Sequence, residues 1–414
     1  MKTATRPLER PEAPPISQPL NGYLVLDWGA WQAGPAAGAM LGDLGADVIK
    51  IENRGSGDPS RGLEPGFNIA YKTARTCYFE VVNRNKRGLS IDLAKPEGRE
   101  AMYGLVKKAD AFITNFRPQV VERYGMGYEA LSRINPRLVY AMVTGFGPAG
   151  PDAERRSYDG IGQARSGLMR QCDPDRPRYI IGGVGDSVPA IIAATGVVTA
   201  LLAREKTGKG QRVDVSQLSS LMYIQLCGLA MDLIGGYPIA PQDRRTPQNA
   251  LVNCYKSSDG KWMYAYLLEG EKHWPNLCRA IGRTELEHDP RFDTNAKRAF
   301  NAELVDLLDG VFATRTRDEW LDILWKHDLV FDKVNDYKDL LEDVQVKANN
   351  YLPTFNHPTY GPTTYPPIPI QFSDTPGALR KAAPEFGQHT EEVLMEYLGM
   401  DWEDIGKLKD KEVI

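Results

Sequence analysis

The chain is short of the residues that build metal and redox centres. Only five of its 414 residues are cysteine and five histidine. The cysteines (Cys77, Cys172, Cys227, Cys254, Cys278) are scattered and form no CxxC pair, so zinc and dithiol motifs are unsupported and no metal site is expected. The histidines (His273, His288, His327, His357, His389) all lie from residue 273 onward, which leaves the first 272 residues without an imidazole base. An excess of one charge is missing too: 50 Lys and Arg against 54 Asp and Glu give −4. Such a balance argues against nucleic-acid binding, which usually needs a basic domain. Local basic clusters can still hold a phosphorylated ligand. The longest uncharged apolar run, 188–203, is short for a bilayer and contains Pro189 and Gly196, so no membrane segment is expected. Residues 1–19, rich in Pro and charge, read as a disordered arm rather than a targeting signal. An odd cysteine count without a signal peptide points to a reducing cytoplasm.

What is there points to a globular enzyme of two domains, since 414 residues exceed the usual single-domain size. Tyr23–Trp28 reads as a buried strand, Gly29–Pro35 as a loop, Ala36–Leu44 as a small-residue helix and Asp47–Glu52 as the next strand. This is a β-loop-α-β unit closed by an acidic residue, as in dinucleotide-binding folds. Its glycines (Gly29, Gly34, Gly38) do not spell GxGxxG, so a nicotinamide reading is weak. Strands are expected at 89–93, 111–115, 138–144 and 212–215, with helices at 96–109 and 128–134 between them. That alternation predicts an α/β fold with a Rossmann-like parallel sheet and functional loops beyond its strand ends. Lys86-Arg87 reads as an ordinary solvated pair. The expected organisation is a large domain at 20–216, a long helix and linker at 217–248 and a small α+β domain at 249–332. A linker at 333–369 and a return to the large domain at 370–414 complete it.

The run Gly182-Gly183-Val184-Gly185-Asp186-Ser187 precedes the uncharged stretch and reads as a glycine turn delivering a carboxylate to a helix start. Glycine lets the backbone approach a ligand closely. A helix N-terminus favours negative charge, so Asp186 should stay ionised and available as a nucleophile. On the segment alone, Asp186 or Ser187 reads first as a simple cap of the helix, and the rest of the chain reverses that balance.

The landmarks LNGYLVLDWGAWQAGPAAGAMLGDLGADVIKIENRGSGDPSRG, NRNKRGLSIDLAKPEG, ITNFRPQVVERYGM, INPRLVYAMVTGFGPAGP, YDGIGQARSGLM, GDS and TGKGQRVDVSQ occur in that order. They closely resemble the class III CoA-transferases, the CaiB/BaiF family that includes formyl-CoA and carnitine CoA-transferases. The resemblance implies that Asp186 is a covalent nucleophile. It places Gln32 and Ala33 at the active site and CoA, with Gln32 also toward substrate. It places Ile91, Asp92 and Leu93 along the adenine, and Asn115 and Phe116 beside the pantetheine and diphosphate. Arg123 and Arg156 would lie near the CoA phosphates and Tyr158 near the acyl group. No permanently bound cofactor is implied; the CoA thioester is a substrate. The implied assembly is an interlocked homodimer, or a hetero-oligomer with a paralogous subunit.

The residue types fit that chemistry. A carboxylate can attack an acyl-CoA carbonyl without a general base. CoA would then pass through an aspartyl thioester to an acceptor acid, with backbone N–H groups of glycine turns at the oxyanions. Departures from the family pattern are Asn53, followed by Arg54, at an arginine position, Ala94 at a lysine position, and no run of four glycines in the small domain. The last points away from oxalate or formate. The small domain resembles those of phenyllactate, 2-hydroxyisocaproate and benzylsuccinate CoA-transferases, which implies an aromatic, branched or 2-hydroxy acid such as benzylsuccinate as acceptor, with succinyl-CoA as a donor. Two alternatives are weighed. An α-methylacyl-CoA racemase would need a His/Asp pair, but the matching segment is Ser157-Tyr158-Asp159. A silent partner subunit would have lost Asp186, which is present.

Overall fold

The computed structural model describes residues 17–63, 76–173, 175–237 and 243–414. The chain forms two units, Met1–Ile239 with Tyr351–Ile414, and Ala240–Asn350.

The larger unit runs β1 (Leu24–Trp28), α1 (Ala33–Asp43), β2 (Asp47–Glu52), α2 (Cys77–Asn83), β3 (Lys86–Ser90), α3 (Pro96–Val106), β4 (Ala111–Thr114) and α4 (Pro118–Arg123). It continues with α5 (Tyr128–Ile134), β5 (Val139–Thr144), α6 (Asp159–Arg165), α7 (Leu168–Cys172), α8 (Val184–Thr207), β6 (Arg212–Ser216), α9 (Gln217–Tyr223) and α10 (Leu226–Leu233). The six strands form one parallel sheet in the order β3-β2-β1-β4-β5-β6. This is the doubly wound order with its switch point between β1 and β4. The register sets Leu26 beside Ile49 and Phe112.

Alternate residues build two cores, as the period of a strand requires. Leu24, Leu26, Ile49, Phe112 and Tyr140 face α3 and the C-terminal helices Thr390–Leu398 and Trp402–Asp410. Val25, Val48, Ile113, Val139 and Ala141 face α1 and α8. Helix α8, 24 residues, is long and apolar enough by length and composition to cross a membrane. Here Ala190, Ala193, Ala194, Val197 and Leu201 seat it on the sheet.

Two local expectations are corrected. Strand β3 begins at Lys86, three residues before the expected Leu89, because the supposed solvated pair is buried. Lys86 Nζ meets Asp27 Oδ2 at 2.6 Å and also donates to the carbonyls of Pro35 and Val82 and to Asn83 Oδ1. Arg87 pairs with Asp47, Glu392 and Glu396. The long helix expected at the start of 217–248 is two, α9 and α10. At the break Gln225 leaves helical geometry, and its amide donates to the Leu221 and Ser166 carbonyls at 2.8 and 3.3 Å.

The smaller unit is an antiparallel sheet of β7 (Val252–Lys256), β8 (Trp262–Tyr266) and β9 (Phe331–Val334). The turn between β7 and β8 carries Gly260 at φ +78°. Met263 and Ala265 face the helices Gly270–Ala280, Ala302–Phe312 and Arg317–Lys326. Trp262, Tyr264 and Tyr266 alternate onto the exposed face.

Candidate active site

A cavity of about 460 Å³ opens at the C-terminal ends of the parallel strands. This is where doubly wound sheets place ligands. The loops after β1, β2, β4 and β5 line it, together with Ile91, Leu93, Asp186 and Gln217.

Asp186 arrives on a turn that only glycine makes easily. Gly182 and Gly183 have φ of +103° and +76°. A Cβ on Gly183 would lie 2.6 Å from the Gln32 amide. Gly183 is itself the N-cap of α8 and offers no side chain, so neither Asp186 nor Ser187 is the N-cap. The Asp186 carboxylate turns instead to Gln217, whose Nε2 donates to Oδ1 at 2.5 Å. Burial pushes the Asp186 carboxyl up to about 6, the Gln217 bond opposes this, and the Asp159 carboxylate adds to the rise. The expected effect of the helix N-terminus is thus outweighed by desolvation. At neutral pH the group is still mostly ionised.

Gln32 braces this turn. It is buried, and its Nε2 donates to Ser187 Oγ at 2.7 Å and to the Gly183 carbonyl at 3.2 Å. Its Oε1 accepts from the Tyr78 hydroxyl at 2.9 Å. Burial, then the Asp186 charge, raises the Tyr78 pKa, so the phenol keeps its proton and remains a donor. Asp159 supports the turn from the other side, with Oδ2 accepting from Gly185 N at 3.1 Å.

The loop after β1 is held by polar clamps. Asn115 accepts from Ala30 N at 2.8 Å and donates to the Ala30 carbonyl at 2.7 Å. Asp58 accepts from Trp31 N at 3.1 Å and from Lys50 Nζ at 2.8 Å. Burial alone would push the Lys50 ammonium down, but the Asp58, Asp27 and Glu52 charges hold it above its usual range. Arg61 and Glu52 form a buried bidentate pair next to them. Trp31 sits at φ +65°, a left-handed conformation that a bulky residue keeps only when its surroundings enforce it.

Of the residues named from sequence, Ala33, Ile91, Leu93, Asn115, Phe116, Arg123, Arg156, Tyr158 and Asp186 line the cavity. Gln32 and Asp92 do not. Asp92 Oδ1 accepts from Ala94 N at 2.9 Å, a turn-closing bond at the end of the β3 segment. Phe116 packs on Trp28 with ring centroids 4.8 Å apart. Tyr158, 58% exposed, meets Trp31 edge-on at 6.3 Å. Arg117 joins Arg123 and Arg156 on the wall, and among the described residues none of the three is in an ion pair. Sequence reasoning missed Trp31, Asp58, Tyr78, Ser157 and Gln217. The available signal was position: Gln217 directly follows the last strand, where parallel sheets present functional groups.

Chemically, this is a mostly ionised carboxylate with one oxygen anchored, in a cavity that three arginines suited to phosphate also line. Among the described residues no histidine lines the cavity and no group of His, Cys, Asp and Glu could hold a metal.

The chain matches the model of CoA-transferase family III over residues 20–390 and belongs to that family. It is therefore a CoA-transferase whose substrates are CoA thioesters and acids. It is 34% identical over 405 residues to the succinyl-CoA–D-citramalate CoA-transferase of Chloroflexus aurantiacus, covering 96% of this chain and 98% of that one. It is 31% identical to the (R)-2-hydroxy-4-methylpentanoate CoA-transferase of Clostridioides difficile, covering 95% and 99%. A solved CaiB/BaiF family protein from Brucella suis superposes with a TM-score of 0.80 at 30% identity, covering 92% and 100%.

Proposed function

We propose that the chain moves CoA from succinyl-CoA to a branched or 2-hydroxy carboxylic acid through an aspartyl-CoA thioester on Asp186. The observation that carries this reading is the Asp186 carboxylate, bonded through one oxygen to Gln217 and lining the cavity. Its other oxygen would attack the donor thioester carbonyl. The guanidiniums of Arg117, Arg123 and Arg156 would hold the CoA phosphates, and Trp31 and Tyr158 would flank the acyl group. The names of the two curated relatives support succinyl-CoA as donor and a branched hydroxy acid as acceptor. An aromatic acceptor is the variant of this reading that the same screen tests.

The test incubates the enzyme with succinyl-CoA and a panel of carboxylates, followed by mass spectrometry of the acyl-CoA products. A branched or 2-hydroxy acyl-CoA should dominate; exclusive formation of oxalyl- or formyl-CoA would refute the substrate class. Asp186→Ala should abolish every product while keeping the fold. Near-normal turnover in that variant would refute the covalent pathway.

A further inference from the structure

Gln217 is the first residue of α9 and only 5% exposed. Ser216 caps that helix, its Oγ accepting from Ser219 N at 3.0 Å, which fixes the direction in which Gln217 leaves the backbone. Ser157 Oγ donates to Gln217 Oε1 at 2.5 Å. Gly145 makes room for this contact, since a Cβ there would lie 2.3 Å from Ser157 Cβ. With its oxygen engaged, the Gln217 amide presents N–H to Asp186 Oδ1 at 2.5 Å.

The geometry points to Gln217 as a catalytic oxyanion donor for reactions at the Asp186 carboxyl carbon, an inference that rests on the covalent reading of Asp186. In the first step Asp186 Oδ2 attacks the donor thioester carbonyl. The C–S bond breaks, CoA leaves as thiolate, and an acyl–aspartyl anhydride remains. The thiolate then adds to Asp186 Cγ, and the carbonyl electron pair moves onto Oδ1, the oxygen Gln217 holds. Collapse breaks the bond from Cγ to the bridging Oδ2, which leaves within the donor carboxylate, and the aspartyl-CoA thioester remains. The acceptor carboxylate adds to the same carbon, again loading Oδ1, and expels the thiolate. Attack of that thiolate on the acceptor acyl carbonyl releases the new thioester and restores the Asp186 carboxylate. Two steps of the cycle thus gather a full charge on the oxygen bonded to Gln217. The resting carboxylate spreads that charge over two oxygens, so the bond strengthens toward the transition state, which is what accelerates a step. Ser157 is the positioning residue that keeps the amide from turning its oxygen toward Asp186.

The experiment is rapid-quench measurement of succinate released per site from succinyl-CoA without acceptor, with KM for succinyl-CoA measured alongside. Gln217→Met keeps the length of the side chain and removes the donor. It should slow release on the order of a hundredfold, with KM changed no more than about threefold. Ser157→Ala should give a smaller loss, on the order of tenfold. Unchanged release in folded Gln217→Met, or a rise in KM that accounts for the whole effect, would overturn the proposal. If Gln217→Met does not fold, Ser157→Ala decides, and full activity there overturns it. A wild-type enzyme that releases no succinate and carries no CoA adduct on Asp186 would overturn the covalent reading itself, and this proposal with it.

Discussion

Gly183 and Gln32 stand so close that a single added methyl at position 183 would overlap the Gln32 amide, at 2.6 Å. The contact ties the loop after β1 to the turn that presents Asp186. Gly183→Ala would add this clash to the cost of a left-handed φ of +76°. We expect a loss of about 1–3 kcal/mol of stability and a larger proportional loss of kcat, because the Asp186 turn must shift. Thermal unfolding and steady-state kinetics check it; an unchanged kcat would mean that the turn tolerates displacement.

Transfer should require ionised Asp186. With its carboxyl raised to about 6, kcat/KM should be level above neutrality and fall tenfold for each further pH unit well below 6. A profile flat from pH 8 to 5 would contradict the burial of this group.

Stability should run the opposite way. A carboxyl whose pKa is raised on folding favours the fold below its unfolded value, near 4, and loses that contribution as pH rises through about 6. Ionised Asp186 therefore costs on the order of 2–3 kcal/mol at neutral pH. Asp186→Asn should unfold at a higher temperature than wild type at pH 7, with the gap closing near pH 4. Equal unfolding temperatures at pH 7 would refute the cost.

Arg123→Ala should raise KM for CoA esters about tenfold to a hundredfold, the worth of one charge-assisted phosphate contact, with kcat little changed. The effect should shrink with dephospho-CoA esters if Arg123 meets the 3′-phosphate and persist if it meets the diphosphate. An unchanged KM for both would leave Arg123 with only its packing against the Tyr124 ring.

Asp58→Ala should be among the most damaging changes outside the apolar core. It leaves Lys50 buried without its ion-pair partner and frees the Trp31 amide. Breaking one side of a buried pair costs roughly 3–5 kcal/mol. Denaturant unfolding measures it; a loss below that of a surface substitution would show that the two charges are not coupled.

The large sheet was legible because its strands are apolar runs punctuated by glycine and proline. Strand β3 was misplaced because Lys86 and Arg87 carry the signature of solvent, and only distant partners such as Asp27 and Glu392 make their burial affordable. Asp186 was singled out from its glycine turn, but its raised pKa was not legible, since desolvation depends on residues remote in sequence. Gln217 escaped because a Ser-Gln step at a strand end looks like an ordinary helix start. Its role appears only once β6 lies beside β5 and brings Ser157 and Asp186 within reach. The turn-closing bond of the Asp92 carboxylate to Ala94 N is likewise a local detail that the motif alone does not show.

The loop that carries Trp31 is mounted on ions: Lys50 with Asp58, Arg61 with Glu52, and Lys86 with Asp27 are all buried. Such a mounting answers to heat differently from an oily one. Stripping water from charged groups becomes less costly on warming, while the apolar contribution per unit area levels off. The entrance to the cavity should therefore stay ordered at temperatures where apolar parts of the molecule begin to soften.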